Sequence, residues 1–282
     1  MTSLPPTVEG ALAEPAPGIR VTMAGAGVPF SALTWGEDGD RPLLLVHGVT
    51  ASAEIWWRVG PALAATGRRV VAVDLPGHGH TGHWTGRSRF RETAADLADM
   101  LRGAGLATPT LQVIAHSWGS MVSTCLPSAG IRPATLVLLD PPTITLGQIV
   151  HEIGETRDLA SPGFDPLAAT SNAHPDWTDG DIDAAANALR EVDIGAAAGL
   201  LLGNGDWDSG LAELAGPDAA EVDVWVVRGD PATGGRTPDD AAAAYADRYG
   251  ADHVISIPGA PHSPQPTHSA ETVAAFLRCL DG

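Results

Sequence analysis

The chain has 282 residues and a net charge of −18 at pH 7, and all 16 of its basic residues are arginine. That length suits one large α/β domain or two small ones with an ample core, and the lack of lysine excludes Schiff-base chemistry and a phosphate-loop lysine. The acidic field repels nucleic acid and anionic membranes, with no basic cluster to offset it. Cys125 and Cys279, the 2 cysteines, make neither a disulfide framework nor a metal motif, so a reduced, cytoplasmic setting is expected. No apolar run is long enough to span a bilayer.

Residues 1–18 are rich in Pro and Ala and lack a basic n-region and an apolar h-region. They read as a mobile arm and not as a signal peptide. Ile19–Met23 and Val28–Trp35 read as two strands around Gly25-Ala26-Gly27. Leu43 to Val46 is a continuous apolar run, as expected of a strand buried on both faces of a parallel sheet. It ends in His47-Gly48-Val49-Thr50, and Ser52 is placed to cap the helix carrying Ile55, Trp56, Val59 and Leu63.

Val70–Val73 is the next strand, followed by the loop Asp74-Leu75-Pro76-Gly77-His78-Gly79-His80-Thr81-Gly82. A helix is expected over Ser88 to Leu101, stopped by Gly103 and Gly105. The apolar run from Leu111 then ends abruptly in Ser117. Ala115 stands two places before this serine and Gly119 two places after it. Small residues at those offsets suit a sharp strand-to-helix turn that lifts a serine hydroxyl above a sheet. Taken alone, Ser117 would be an ordinary helix N-cap.

Thr135–Leu139 is another buried strand and ends in Asp140-Pro141-Pro142. From Pro141 to about Gly216 the texture changes to helical fragments, such as Asp181–Val192 and Ala196–Leu202, separated by Gly-, Pro- and Asp-rich loops. Val222–Val227 resumes the buried-strand pattern and ends in Arg228-Gly229-Asp230-Pro231. A helix over Pro238 to Arg248, a strand over His253–Ile257, a loop carrying His262 and a last helix from Thr267 to Leu280 complete the chain. Strands alternating with helices describe a doubly wound, mostly parallel α/β sheet, with residues 141–216 as a helical lid inserted between two strands.

Four stretches taken together resemble the α/β-hydrolase fold family: His47-Gly48, Asp74-Leu75-Pro76-Gly77-His78-Gly79, the Ser117 turn and Gly259-Ala260-Pro261-His262-Ser263. The order serine, acid, histidine is also similar to that family's. The resemblance covers nearly all of the chain after the arm. It implies a core of residues 19–140 and 217–282 with residues 141–216 as the cap. It implies Ser117 as nucleophile, His262 as base, and the backbone N–H groups of Val49 and Trp118 as the oxyanion hole. His47 would brace the loop that carries Val49. His268 is a competing histidine, but it reads better as the start of the final helix.

The acid has two candidates. Most of the family places it after the strand that follows the lid, where Asp230 stands. Branches including haloalkane dehalogenases and certain lactone hydrolases place it after the strand that follows the nucleophile helix, where Asp140 stands. The Asp230-Pro231 pair resembles the dehalogenase pattern, which favours Asp140.

These features imply a serine hydrolase acting on an ester, thioester or lactone through an acyl-enzyme, with Trp57, Trp84, Trp118, Trp177 and Trp207 available to line a pocket for an apolar or aromatic small molecule. A serine at the nucleophile position argues against the dehalogenase and epoxide hydrolase chemistries of this fold, which use an aspartate there. C–C bond hydrolysis, a cofactor-free oxygenase or lyase reaction, and a non-catalytic small-molecule receptor remain as alternatives. His78, His80 and His83 lie on one loop but are a poor metal set. No metal, cofactor, nucleic acid or membrane is expected as a partner, and the protein is expected to be a monomer or homodimer.

Overall fold

The computed structural model describes residues 3–25, 29–37, 41–82, 89–156 and 161–282. The first element is helix α1 (Pro6–Ala13), followed by strands β1 (Ile19–Met23), β2 (Phe30–Trp35) and β3 (Pro42–Val46). A 3₁₀ turn (Ala53–Trp56), helix α2 (Val59–Ala64), β4 (Arg69–Val73), α3 (Phe90–Gly103), β5 (Gln112–His116), α4 (Trp118–Thr124) and β6 (Thr135–Leu139) come next. Residues 141–216 supply the short strand β7 (Thr143–Ile144), helices α5 (Leu146–Thr156), α6 (Pro166–Ala173), α7 (Asp179–Glu191) and α8 (Ile194–Gly203), strand β8 (Trp207–Asp208) and α9 (Leu211–Leu214). The chain ends with β9 (Asp223–Arg228), α10 (Asp239–Tyr249), β10 (Val254–Ser256) and α11 (Ser269–Asp281).

Among the described residues eight strands form one sheet in the order β1-β2-β4-β3-β5-β6-β9-β10. The pairings from β4 to β10 are parallel, and β2 runs antiparallel to both β1 and β4. Strands β3, β5 and β6 are buried along their whole length, as their unbroken apolar runs require when helices cover both faces. The chain passes from β3 to β4 on one side, then crosses back so that β5 pairs with β3 on the other. The carboxyl ends of β3 and β5 therefore flank the point where the winding reverses, where open α/β sheets place their ligands.

Residues 3–18 do not behave as the expected arm. Helix α1 lies against α2 and α11, with Val8 fully buried and Leu4, Ala11 and Leu12 packed on the cluster that contains Trp35 and Phe276. The Trp35 indole N–H also donates to the Ala16 carbonyl at 3.0 Å. Burial of one such aliphatic side chain stabilises by about 1.5–3 kcal/mol, enough to dock a short helix that its Pro- and Ala-rich composition disguises.

The segment 141–216 leaves the sheet after β6 and returns at β9, two strands that pair directly. Its helix α7 is tied down on the 3₁₀ turn and α2. The Trp57 indole and the Arg58 guanidinium both donate to the Asp181 carboxylate, at 2.9 and 2.8 Å, and Asn187 donates to Glu54 at 3.1 Å. Among the described residues, no helix is long and apolar enough to cross a membrane.

Candidate active site

Ser117 follows β5 with φ 54° and ψ −121°, a conformation that costs an L-residue about 1–3 kcal/mol. Its neighbours impose it. The Ser117 N–H donates to the Leu139 carbonyl at 3.0 Å, and the buried Ser120 hydroxyl donates to the Ala115 carbonyl at 2.6 Å. Gly119 has no alternative, because a Cβ there would stand 2.5 Å from the His47 carbonyl oxygen. Ala115 is buried in β5, so the strand accepts a methyl group in place of the more usual glycine.

The turn aims the Ser117 hydroxyl at His262, whose Nε2 lies 2.8 Å from Oγ. On the far side of the ring, Nδ1 lies 2.6 Å from Asp140 Oδ2. A carboxylate only accepts, so Nδ1 carries the proton and Nε2 offers its lone pair to the serine O–H. Asp140 is fully buried. It also accepts N–H groups from Gly229 at 3.2 Å, Arg236 at 2.7 Å and Thr237 at 3.3 Å. Burial alone would push this carboxyl up. The hydrogen bond and charge of His262, with the Arg236 N–H, outweigh it and hold the group below the usual carboxylate range.

Asp230 ends the neighbouring strand but faces elsewhere. Its oxygens accept the N–H groups of Ala232 at 2.9 Å and Gly259 at 3.1 Å. These two bonds lower its pKa. His268 caps α11 and bonds with the Thr267 hydroxyl, away from Ser117.

Two more histidines support the site. His47 Nε2 accepts the Leu75 N–H at 3.0 Å, so its Nδ1 is the protonated nitrogen and donates to the Gly48 carbonyl at 2.7 Å. The Gly48 carbonyl and the Val49 N–H belong to one planar trans peptide and point in opposite directions. The His47 bond therefore holds the Val49 N–H on the side away from His47. The loop sits tightly over Ser117: a Cβ on Gly48 would lie 3.1 Å from Ser117 Cβ. His78 in turn contacts the Val49 carbonyl through Nε2 at 2.5 Å, a structural role for a histidine of the glycine-rich loop. Burial, then the neighbouring His78, lowers the pKa of His47 to about 3.

His116, immediately before Ser117, was not singled out in the sequence. Its Nε2–H donates to the main-chain carbonyl of His262 at 3.0 Å, and the two rings lie 4.9 Å apart. Burial first, then the adjacent His262, lowers its pKa to about 3, so it is a neutral strut at ordinary pH. Only its place inside the serine turn could have drawn attention to it.

Ser117 and His262 open onto a cavity of about 670 Å³, within the range of small-molecule sites. Its far wall comes from residues 141–216 and is mostly apolar. Trp177, stacked on His174 at 3.8 Å, and Trp207, edge-on to Phe90, both line it. Val49 also lines it.

Two of the other expected pocket tryptophans, Trp57 and Trp118, do not line it. Trp57 holds α7 through Asp181 and packs on Gly180, where a Cβ would lie 2.6 Å from its ring. The Trp118 ring is fully buried and stacks on His78 at 5.1 Å, so only its backbone N–H is available at the helix start. Trp84 lies outside the described residues, as does His83.

The fold and this Ser–His–Asp constellation define the protein's class before any relative is considered. The profile of the α/β hydrolase fold matches residues 41–214, and the chain belongs to that family. A lipase, LipV, of Mycobacterium tuberculosis is 34% identical over 152 residues, covering 52% of this chain and 55% of the lipase. The chain thus spans about half the length of that relative. A pimeloyl-[acyl-carrier protein] methyl ester esterase of Edwardsiella ictaluri is 27% identical over 272 residues, 90% of this chain and 99% of the esterase. The solved structure of E-2-(acetamidomethylene)succinate hydrolase superposes with a TM-score of 0.74 at 18% identity, covering 94% of this chain and 100% of the other, a likeness of fold.

Proposed function

We propose that this chain is a serine hydrolase that cleaves a carboxylic ester, thioester or lactone of a small molecule through an acyl-enzyme on Ser117. The observation that carries the reading is the unbroken hydrogen-bond chain from Ser117 through His262 to Asp140 at the mouth of the cavity. His262 Nε2 takes the Ser117 proton as Oγ bonds to the carbonyl carbon. The oxyanion that forms accepts the N–H groups of Trp118 and Val49, and each such donor is worth ~10²–10³ in rate. His262 then gives its proton to the leaving alcohol, thiol or ring oxygen as the C–O or C–S bond breaks. A water, activated by the same nitrogen, releases the acid and restores Ser117. Asp140 keeps the ring in the productive tautomer and stabilises the imidazolium.

In this reading residues 141–216 act as a cap that supplies the apolar acyl or ring pocket, with Trp177 and Trp207 in its wall. The names of the lipase and the methyl ester esterase among its relatives favour ester hydrolysis over the other reactions the fold hosts. Turnover of a panel of p-nitrophenyl esters tests it. Wild type should release p-nitrophenol and Ser117→Ala, folded by circular dichroism, should not. Turnover by Ser117→Ala within tenfold of wild type would defeat the proposal.

A further inference from the structure

Helix α6 is described over its whole length, and among its residues Thr170 alone is buried, at 5% exposure. Leu167 of the same helix is left 41% exposed. A helix that merely packs turns its larger apolar side chains inward and its polar ones to water. In α6 that order is inverted, and the residue it buries borders the cavity onto which Ser117 and His262 open.

Thr170 shares this part of the wall with Ala169 and Ala173 of its own helix, Ala184 and Ala188 of α7, and Trp177. Among the described residues no hydrogen bond reaches its hydroxyl. A buried hydroxyl without a partner is unfavourable, and a native structure that keeps one leaves room for a ligand to complete it. In surroundings this apolar, the bond a ligand makes there is stronger than in water. The backbone beneath the hydroxyl is fixed. Asp165 caps the helix at the N–H groups of Leu167 and Ala168, and the Thr170 carbonyl accepts the His174 N–H at 2.9 Å.

We infer that Thr170 is a specificity-determining residue, and that the acyl group of the substrate carries a neutral oxygen function, a ketone or hydroxyl, that hydrogen-bonds it. The inference rests on the hydrolase reading and narrows its substrate class. A threonine hydroxyl both donates and accepts, so either function fits. The probes are p-nitrophenyl octanoate and a series of analogues with one ketone moved stepwise along the chain.

In wild type the ratio of kcat/KM, ketone over plain ester, should peak at one ketone position. Thr170→Val removes the hydroxyl and keeps the side-chain size. It should lower that peak by roughly threefold to tenfold, the weight of one hydrogen bond, while Thr170→Ser should keep the peak. Thr170→Val should also melt no lower than wild type, since no partner within the protein is lost. A ratio indifferent to ketone position, a peak that Thr170→Val leaves in place, or a clearly lower melting midpoint overturns the inference. An equal effect of Thr170→Val on every ester assigns the hydroxyl to a cavity water and overturns it as well. Hydrolysis of none of these esters counts against the hydrolase reading. Affinities of the same esters for Ser117→Ala, measured by calorimetry, then decide the Thr170 contact by themselves, with the same peak expected.

Discussion

Strands β6 and β9 are neighbours in the sheet, and each is followed by an aspartate and a proline, yet the two carboxylates meet different fates. The chain leaves β6 with Asp140 at φ 46°, and its carboxylate is buried to accept three backbone N–H groups and His262. The chain leaves β9 with Asp230 in ordinary extended backbone, and its carboxylate closes an exposed turn. One local backbone choice thus separates a buried charge with a full set of donors from a solvated loop cap. The Asp-Pro pair is the same at both ends; burial and hydrogen-bond supply differ.

The largest test of this contrast is Asp140→Asn. Asparagine tolerates the left-handed backbone, so the fold should persist, but an amide favours the wrong His262 tautomer. Turnover of a reactive ester should fall by up to ~10⁴, and steady-state kinetics on a folded variant checks it.

A smaller effect is expected from His116→Phe. It keeps the ring volume but removes the N–H that ties the His262 carbonyl to the end of β5. Loss of one such bond corresponds to about 1 kcal/mol, and a loosened base should lower kcat by roughly fivefold to tenfold, measured beside thermal stability. Asp230→Asn should change turnover by less than about threefold, since an amide oxygen still accepts the N–H groups that Asp230 caps. An Asp230→Asn variant as damaged as Asp140→Asn would break the contrast.

The same buried groups fix the response to acid. His47 and His116 titrate near 3 in the folded chain against an ordinary 6.5. Between those values the unfolded chain binds the additional protons, so stability present above pH 6.5 is lost as pH falls. Asp140, held below its usual range, adds a further loss at lower pH. Denaturation midpoints from pH 7 to pH 4 should show a decline that is shallower in His116→Phe.

Much of this was readable in the sequence. The buried parallel strands declare themselves as unbroken apolar runs, and the serine turn by its small residues. The choice of Asp140 came from family resemblance, because nothing local distinguishes two strand-end aspartates each followed by proline. Helix α1 was not legible, since its anchor, Val8, packs against residues far along the chain. Trp57 was misread because its partners, Gly180 and Asp181, lie more than a hundred positions away. Arg236 escaped notice for a related reason: its backbone bond to Asp140 spans 96 positions.

The central claim is that Ser117 is a nucleophile activated by His262, and covalent labelling tests it most directly. A fluorophosphonate should modify the wild-type chain at one site, which peptide mass spectrometry locates at Ser117. Ser117→Ala should remain unlabelled, and His262→Ala should react several orders of magnitude more slowly. A wild-type chain that stays unmodified, or a Ser117→Ala chain that labels as fast as wild type, would contradict the account.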